Sequence, residues 1–447
     1  MMDKPLEILT QTIPRLFELC GTIREAAAHG DQEPGSLPAM KEDITAGIRA
    51  VEAAAEQLCP GETPAPAELE SLAAMDGGQL VRFTEDWFTQ SMAPCLAVRF
   101  VRTLQEVRQF SQENAQFLAH WILNQLPVSP TDKRCMLLDL GQRCGTWAPE
   151  FSWDLMSQVL DAMPPEDQKK LFPHWTGEPY RPGLHPQTEL TCCPTCGGRG
   201  KPFQTALSGR MDDFDTLFLP VKMWMRCEQC GNLYTRYFPT EFLQLGAKHK
   251  VLQPTPNHMV TRQVQAVSLR IWSDILNKIR GYTDGKTLLE VGVGQGHLIA
   301  VAQEMGYDVS AVELIEADAQ ETADLLGLPV ICGDFLHLEE DHQVDVITMG
   351  DVLEHLQRPM EGLKKAHVLL KDGGILWLST PNYESSFTRI MKSFDAMWCE
   401  PYHISYFSRK GLLPLLEQVG FELLEYSVSN RYNGSMELLL RKTSRKM

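Results

Sequence analysis

Two hydrophobic periodicities divide this chain. Over 6–24, 41–58 and about 67–126, apolar residues recur every three or four positions with Ala, Glu and Arg between them, which predicts amphipathic helices. The stretch 30–38 reads as the loop of a helical hairpin, and the Pro- and Gly-rich run 59–66 breaks the chain before the second block. In that block Trp87, Phe88, Phe100, Val101, Leu104, Val107, Phe110, Phe117, Leu118, Trp121 and Ile122 form an apolar stripe that reads as core. A further helix is expected over 153–162, and the Pro-rich stretch 173–186 closes the region.

From 257 the pattern changes. An amphipathic helix over 257–281 is followed by a short apolar run at 287–291, the signature of a buried parallel strand, and further strands are expected at 308–313, 328–332, 344–349 and, as turn plus strand, 371–379. Helical spacing fills the intervals at 297–305 and 360–370, and a helix and two strands are expected after His403. The expected fold class is α/β: a Rossmann-like domain over 257–447, preceded by a small module over 191–256 and an all-α region over 1–190.

Composition narrows the classes. At 447 residues with 43% hydrophobic content, the chain is long enough for two or three cores. No apolar run approaches the length of a membrane span and no signal peptide is legible at the start, so a cytoplasmic protein is expected. The net charge of −17 argues against nucleic acid as a partner; only 191–256 is slightly basic.

Of the twelve cysteines, most are scattered and read as small buried hydrophobes: Cys20, Cys59, Cys95, Cys135, Cys144, Cys332 and Cys399. The exceptions are Cys193-Pro-Thr-Cys196-Gly and Cys227-Glu-Gln-Cys230-Gly. Each places two thiolates on a tight turn whose glycine frees backbone amides to point at sulfur. Four thiolates suit a closed, structural Zn²⁺ site, so a zinc ribbon is expected, with strands at 217–219 and 221–225 joining the knuckles. Cys192 is out of step with the spacing. A solvated face carrying Lys201, Arg210, Lys222, Arg226 and Arg236 is the surface through which the ribbon could dock a substrate or protein partner; residues 1–190 are the other candidate.

The chemistry concentrates in TLLEVGVGQGHLI, 287–299. A strand carrying Glu290 near its carboxyl end runs into Gly292, Gly294 and Gly296, which allow a sharp turn and close backbone approach to a ligand before a helix starts. A second strand ends in Glu313, where a carboxylate can accept both hydroxyls of a ribose. The E-V-G-V-G-Q-G spacing resembles motif I of the class I S-adenosylmethionine (SAM) methyltransferases, and the resemblance extends from about 257 to the end of the chain. It implies a seven-stranded sheet with an antiparallel edge hairpin, and Glu290 holding the methionyl ammonium beside the three glycines. It also implies that Asp334 accepts from the adenine amino group while Phe335 covers the ring; the secondary reading of Asp334 is a helix N-cap.

The region GDVLEHLQRP, 350–359, corresponds to that family's motif IV and brings Asp351 to the cofactor. Asp351, Glu354 and His355 are similar, with Asp in the first place, to the Glu-x-x-Glu-His of ubiquinone-pathway O-methyltransferases, where the cluster can hold a divalent ion. The Glu-His pair also resembles that of sugar C-methyltransferases with an N-terminal zinc domain. Glu354, His355 and His403 are therefore the candidate bases, and a second divalent ion is the alternative use of the cluster. The expected function is methyl transfer from SAM to oxygen or carbon of a small-molecule acceptor. The competing expectation is a binding protein in which helices and ribbon recruit a macromolecule and the SAM fold serves as sensor or scaffold.

Overall fold

Helical spacing in the first third of the chain becomes a series of helices in the computed structural model, which describes residues 3–28, 36–58, 61, 63–92, 95–96, 112–124, 129–171, 179–208, 217–240, 266–294, 296–339, 342–392 and 395–444. These are α1 (Asp3–Ala28), α2 (Leu37–Leu58), α3 (Gly77–Trp87), α4 (Gln112–Asn124), α5 (Pro130–Cys144), α6 (Pro149–Asp161) and α7 (Pro165–Leu171). Asp76 starts α3 with a capping box: its side chain accepts from the Gln79 amide while the Gln79 side chain accepts from the Asp76 amide. From the expected stripe, Trp87, Phe88, Leu118 and Ile122 are buried. Phe100, Val101, Leu104, Val107, Phe110 and the side chains of Phe117 and Trp121 lie outside the described residues, as do Cys59, Arg210, Gln295 and 257–265.

The chain divides into two compact units, one of Met1–Cys144 with Asp154–Val159 and one of Gly145–Trp153 with Leu160–Met447. The second holds both cysteine knuckles and all the strands. Its main sheet has seven strands: β6 (Thr287–Val291), β7 (Asp308–Glu313), β8 (Val330–Cys332), β9 (Val344–Gly350), β10 (Leu370–Pro381), β12 (Phe421–Val428) and β13 (Ser435–Lys442), in the order β12-β13-β10-β9-β6-β7-β8. Pairing is parallel from β10 through β8, and β13 runs antiparallel to both its neighbours. Both faces are buried. Leu289, Ile347, Leu376 and Leu438 point into one core, while Leu288, Val346, Trp377 and Leu439 point into the other. The connecting helices are α8 (Ala266–Arg280), α9 (His297–Glu304), α10 (Glu316–Leu326), α11 (Pro359–Leu369), α12 (Ser386–Met391) and α13 (Arg409–Val419). Among the described residues no helix is long and apolar enough to cross a membrane.

The knuckle region builds a second, four-stranded antiparallel sheet from β2 (Gly200–Leu207), β3 (Val221–Cys227), β4 (Leu233–Thr235) and β11 (Ser405–Tyr406), in the order β11-β4-β3-β2. Beside it, β1 (Gln187–Glu189) pairs antiparallel with β5 (Tyr237–Pro239). Two expectations change here. The partner of β3 is 200–207, with a bulge at Pro202/Gln204, and 217–219 is not a strand; Leu217 and Phe218 pack in a small cluster with Phe238 and Ile404. The sheet also crosses the expected boundary at 257, because its edge strand β11 comes from the α/β region. Cys332, expected to be buried, is exposed on β8.

Candidate active site and metal centre

The glycine loop leaves β6 as the spacing implied. Gly292, Gly294 and Gly296 have φ of 75°, 54° and 74°, in the left-handed region that favours glycine, and a Cβ on Gly292 would lie 2.8 Å from Val352 Cγ2. Glu290 sits 6% exposed beneath this loop. Burial pushes its carboxyl well above the ordinary range, Arg431 acts in the opposite direction, and Glu313 adds to the rise. Its Oε2 has no hydrogen-bond partner among the described residues. A buried acceptor of this kind fits a cationic ligand group such as the ammonium of SAM.

Glu313, at the end of β7, ties the loop down. Its Oε2 accepts from the Val293 amide and its Oε1 from the Ile315 amide, each at 3.0 Å. A carboxylate offers about four lone-pair sites, so two remain for ligand hydroxyls. Asp334 adopts the capping role: Oδ1 accepts from the Leu336 amide at 3.0 Å, and Oδ2 lies 3.1 Å from His337 Nδ1. Phe335 is 4% exposed and belongs to the core cluster that includes Leu353 and Leu363.

Asp351 follows β9 with φ of 58°, an uncommon conformation for a non-glycine residue. The Ser379 hydroxyl donates to its Oδ1 at 3.0 Å, and its Oδ2 lies 2.9 Å from Arg431 Nη2. Asp351 is thus turned towards Arg431. The groups that converge are instead Glu354, His355 and His403, whose ligand atoms lie within 4.8 Å of one another. Glu354 is fully buried; its Oε2 accepts from the Thr380 hydroxyl at 2.9 Å and its Oε1 lies 4.0 Å from His403 Nε2. Burial pushes Glu354 well above the carboxylate range, reinforced by Asp351. Burial likewise holds His403 well below the imidazole range, aided by His355 and Lys222. His355 Nδ1 lies 3.1 Å from the Tyr402 carbonyl, which can only accept, so Nδ1 carries the proton and Nε2 is the acceptor nitrogen of the neutral ring. A carboxyl and two imidazoles brought together in this way can relay or accept a proton; the same three groups could hold a divalent ion.

The loop bearing His403 is held from the cysteine module. Lys222, expected on a solvated face, is buried on β3, and its Nζ donates to the carbonyls of Glu400 at 2.6 Å, Pro401 at 3.3 Å and His403. Burial brings the ammonium down to about 7, opposed by Glu400. The Thr235 amide donates to the Ile404 carbonyl, the Ile404 amide to the Glu354 carbonyl, and the Trp224 indole to the Trp398 carbonyl. The second knuckle joins in: Tyr383 donates its hydroxyl to the Gly231 carbonyl at 2.5 Å, and Asn232 Oδ1 accepts from the Ser408 amide at 3.1 Å. No local signal could have shown this, since the partners lie up to 181 positions apart.

Within the module, Cys193, Cys196, Cys227 and Cys230 form one cluster, with Sγ separations of 3.8 Å for Cys193–Cys230 and 3.4 Å for Cys196–Cys227. A tetrahedron with Zn–S bonds of about 2.3 Å has edges of about 3.8 Å, so the donor set fits zinc. Gly197 and Gly231 take φ of 75° and 74°, and their amides donate back to the Cys193 and Cys227 carbonyls. The crowded thiols resist joint ionisation: a hydrogen bond from Cys230 draws Cys193 down to about 5, while burial pushes Cys196 up to about 11. A cation resolves that conflict. Cys192 is exposed and apart from the cluster.

Residues 261–426 match the family described as a methyltransferase domain. Among curated proteins, the chain is 31% identical over 105 residues to a ubiquinone biosynthesis O-methyltransferase of Pseudomonas paraeruginosa, covering 22% of this chain and 45% of that protein. It is 34% identical over 104 residues to one of Coxiella burnetii, covering 22% and 44%. The chain thus spans less than half the length of the curated relatives it matches. Among solved structures, it is similar to magnesium protoporphyrin IX methyltransferase from Synechocystis with bound SAH, at 16% identity and a TM-score of 0.35, covering 45% of this chain and 97% of that one. The glycine loop, the strand-end acids and the sheet order agree with the sequence match, and residues 261–426 are a methyltransferase domain of the class I SAM-dependent family.

Proposed function

We propose that this protein transfers a methyl group from SAM to oxygen or carbon of a small-molecule acceptor. The observation that carries the reading is the convergence of Glu290, Glu313, Asp351 and the glycine loop at the carboxyl ends of adjacent parallel strands, next to the cluster of buried Glu354 and His403 with half-buried His355. SAM supplies an electrophilic methyl and its own leaving group, so the protein need only orient the acceptor and manage its proton. Glu290 and Asp351 serve the ammonium, and Glu313 serves the ribose. His355 Nε2 or His403 takes the acceptor's proton, with Glu354 as the group that orients them. Use of Glu354, His355 and His403 to hold a divalent ion would replace this base role by ligation of the acceptor oxygen.

The four-cysteine cluster is assigned a structural Zn²⁺, since four protein ligands leave no open position. The module's own bonds to the 398–408 region favour a role in shaping the acceptor side over recruitment of a macromolecule. The test is turnover of methyl-labelled SAM with fractionated cell extract, reading SAH formation and label in the product. Label in a small, protease-resistant molecule is expected. Label only in protein or nucleic acid would overturn the acceptor class, and no turnover with any fraction would favour the sensor reading.

A further inference from the structure

The imidazole of His403 is buried, yet no hydrogen bond fixes its ring. Nδ1 has no partner among the described residues, and Nε2 lies 4.0 Å from Glu354 Oε1, beyond hydrogen-bond reach. The His355 ring stands edge-on to it, with centres 4.7 Å apart. A side chain placed in this way takes its position from its own backbone, and position decides whether a base reaches its proton. Residues 399–404 form no helix or strand of their own, so their carbonyls must find donors elsewhere. Most of those donors stand on the cysteine module.

Lys222 Nζ reaches the carbonyls of Glu400, Pro401 and His403, one for each donor of an ammonium. Lys222 is fixed in turn by Trp224, two residues along the same face of β3, whose ring centre lies 4.4 Å from Nζ and whose indole donates to the Trp398 carbonyl at 3.1 Å. The Thr235 amide on β4 donates to the Ile404 carbonyl at 2.9 Å, and the Ile404 amide donates to the Glu354 carbonyl at 2.8 Å. The loop that the module holds is therefore the one that sets His403 against Glu354. We propose that Lys222 is the positioning residue for His403: through the peptide group of His403 it fixes the imidazole beside Glu354, and the cysteine module thereby completes the acceptor side of the site. With its donors committed to carbonyls, Lys222 acts through the loop alone. The catalytic consequence rests on the reading of His403 as a base.

A double-mutant cycle on the full chain tests this, with turnover read from methyl-labelled SAM and the small-molecule fraction of cell extract. Lys222→Met should lower turnover by roughly 10–100-fold, the scale for a misplaced reacting group, while SAH affinity by calorimetry stays within about 2-fold. Combined with His403→Gln, it should be no slower than His403→Gln alone within about 2-fold, because Lys222 acts through that ring; a merely structural loss would add. Additive losses, or a slow His403→Gln beside a fully active Lys222→Met, would overturn the proposal alone. Full turnover of His403→Gln would overturn the base reading and the proposal's catalytic consequence with it. Should no fraction support turnover, NMR of histidine-labelled protein decides. The His403 ring signal, identified by its loss in His403→Gln, is expected to move or broaden in Lys222→Met, while that of His367, packed against Phe421, stays; an unmoved His403 signal would overturn the proposal. If Lys222→Met does not fold, Lys222→Gln, which keeps an amide donor but reaches fewer of the carbonyls, takes its place in both measurements, with smaller changes expected in the same direction.

Discussion

Replacing Glu313 by alanine tests the cofactor site at its most tightly built point. In the folded chain both oxygens of this carboxylate accept backbone amides, Val293 from the glycine loop and Ile315 from the start of α10, and the residue is 7% exposed. The variant therefore loses the anchor of the loop and the two acceptor sites proposed for the ribose. Hydrogen bonds to a charged acceptor contribute about 1.5–3 kcal/mol each, and water entering the space left by the side chain returns part of that. A net loss of about 2–3 kcal/mol is expected, or roughly a 30–150-fold rise in the dissociation constant for SAH. Glu313→Gln, which keeps one carbonyl oxygen for an amide, should recover part of it. Isothermal calorimetry measures the affinity, with circular dichroism confirming that each variant is folded. A folded Glu313→Ala protein that binds SAH within twofold of the unaltered chain would place the nucleoside elsewhere and refute the strand-end reading.

Metal analysis of freshly purified protein should find one zinc per chain, reduced in Cys193→Ser and unchanged in Cys192→Ser; absence of zinc would remove the ribbon assignment. Because Gly231 and Asn232 hold Tyr383 and Ser408, loss of that metal should lower turnover more than SAH affinity. Lys222→Met should change the pH dependence of stability: burial sets the folded ammonium at about 7 against about 10.4 unfolded, so the unfolded chain binds more protons between those values and stability rises with pH across that window. Thermal melts at pH 7.5 and 9.5 should show that rise in the unaltered protein and a flatter response in the variant; identical slopes would contradict it. Glu354→Gln and His355→Ala should each lower kcat by about 10²–10⁴-fold with little effect on SAH binding, and turnover should survive EDTA. Loss of activity with EDTA and its return with Mg²⁺ would transfer the cluster to metal binding.

The sequence by itself determined the elements whose signals are local. The run Thr287–Val291 and the three glycines were readable because a strand end, a positive φ and a helix start are properties of a dozen consecutive residues. The knuckles were readable for the same reason, each pair of thiols lying on one turn. Glu313 could be placed at a strand end, though its hold on the Val293 amide could not. Asp334 met one of its two sequence readings, because its capping partner lies two residues away.

Only the tertiary structure decided what the polar groups between these elements do. Asp351 belonged by pattern with Glu354 and His355, but the left-handed turn at 351 aims it at Arg431, and His403 takes the third place in the cluster. Lys222 looked like one more surface lysine, yet β3 and the 400–403 loop close around it and supply three carbonyls. The two-residue strand β11 is too short for any periodicity and exists because β4 offers it a free edge. Periodicity reports the face on which a residue stands. Burial of a charge, and the partner that makes it tolerable, depends on segments far apart in the chain that meet only when the two sheets have formed.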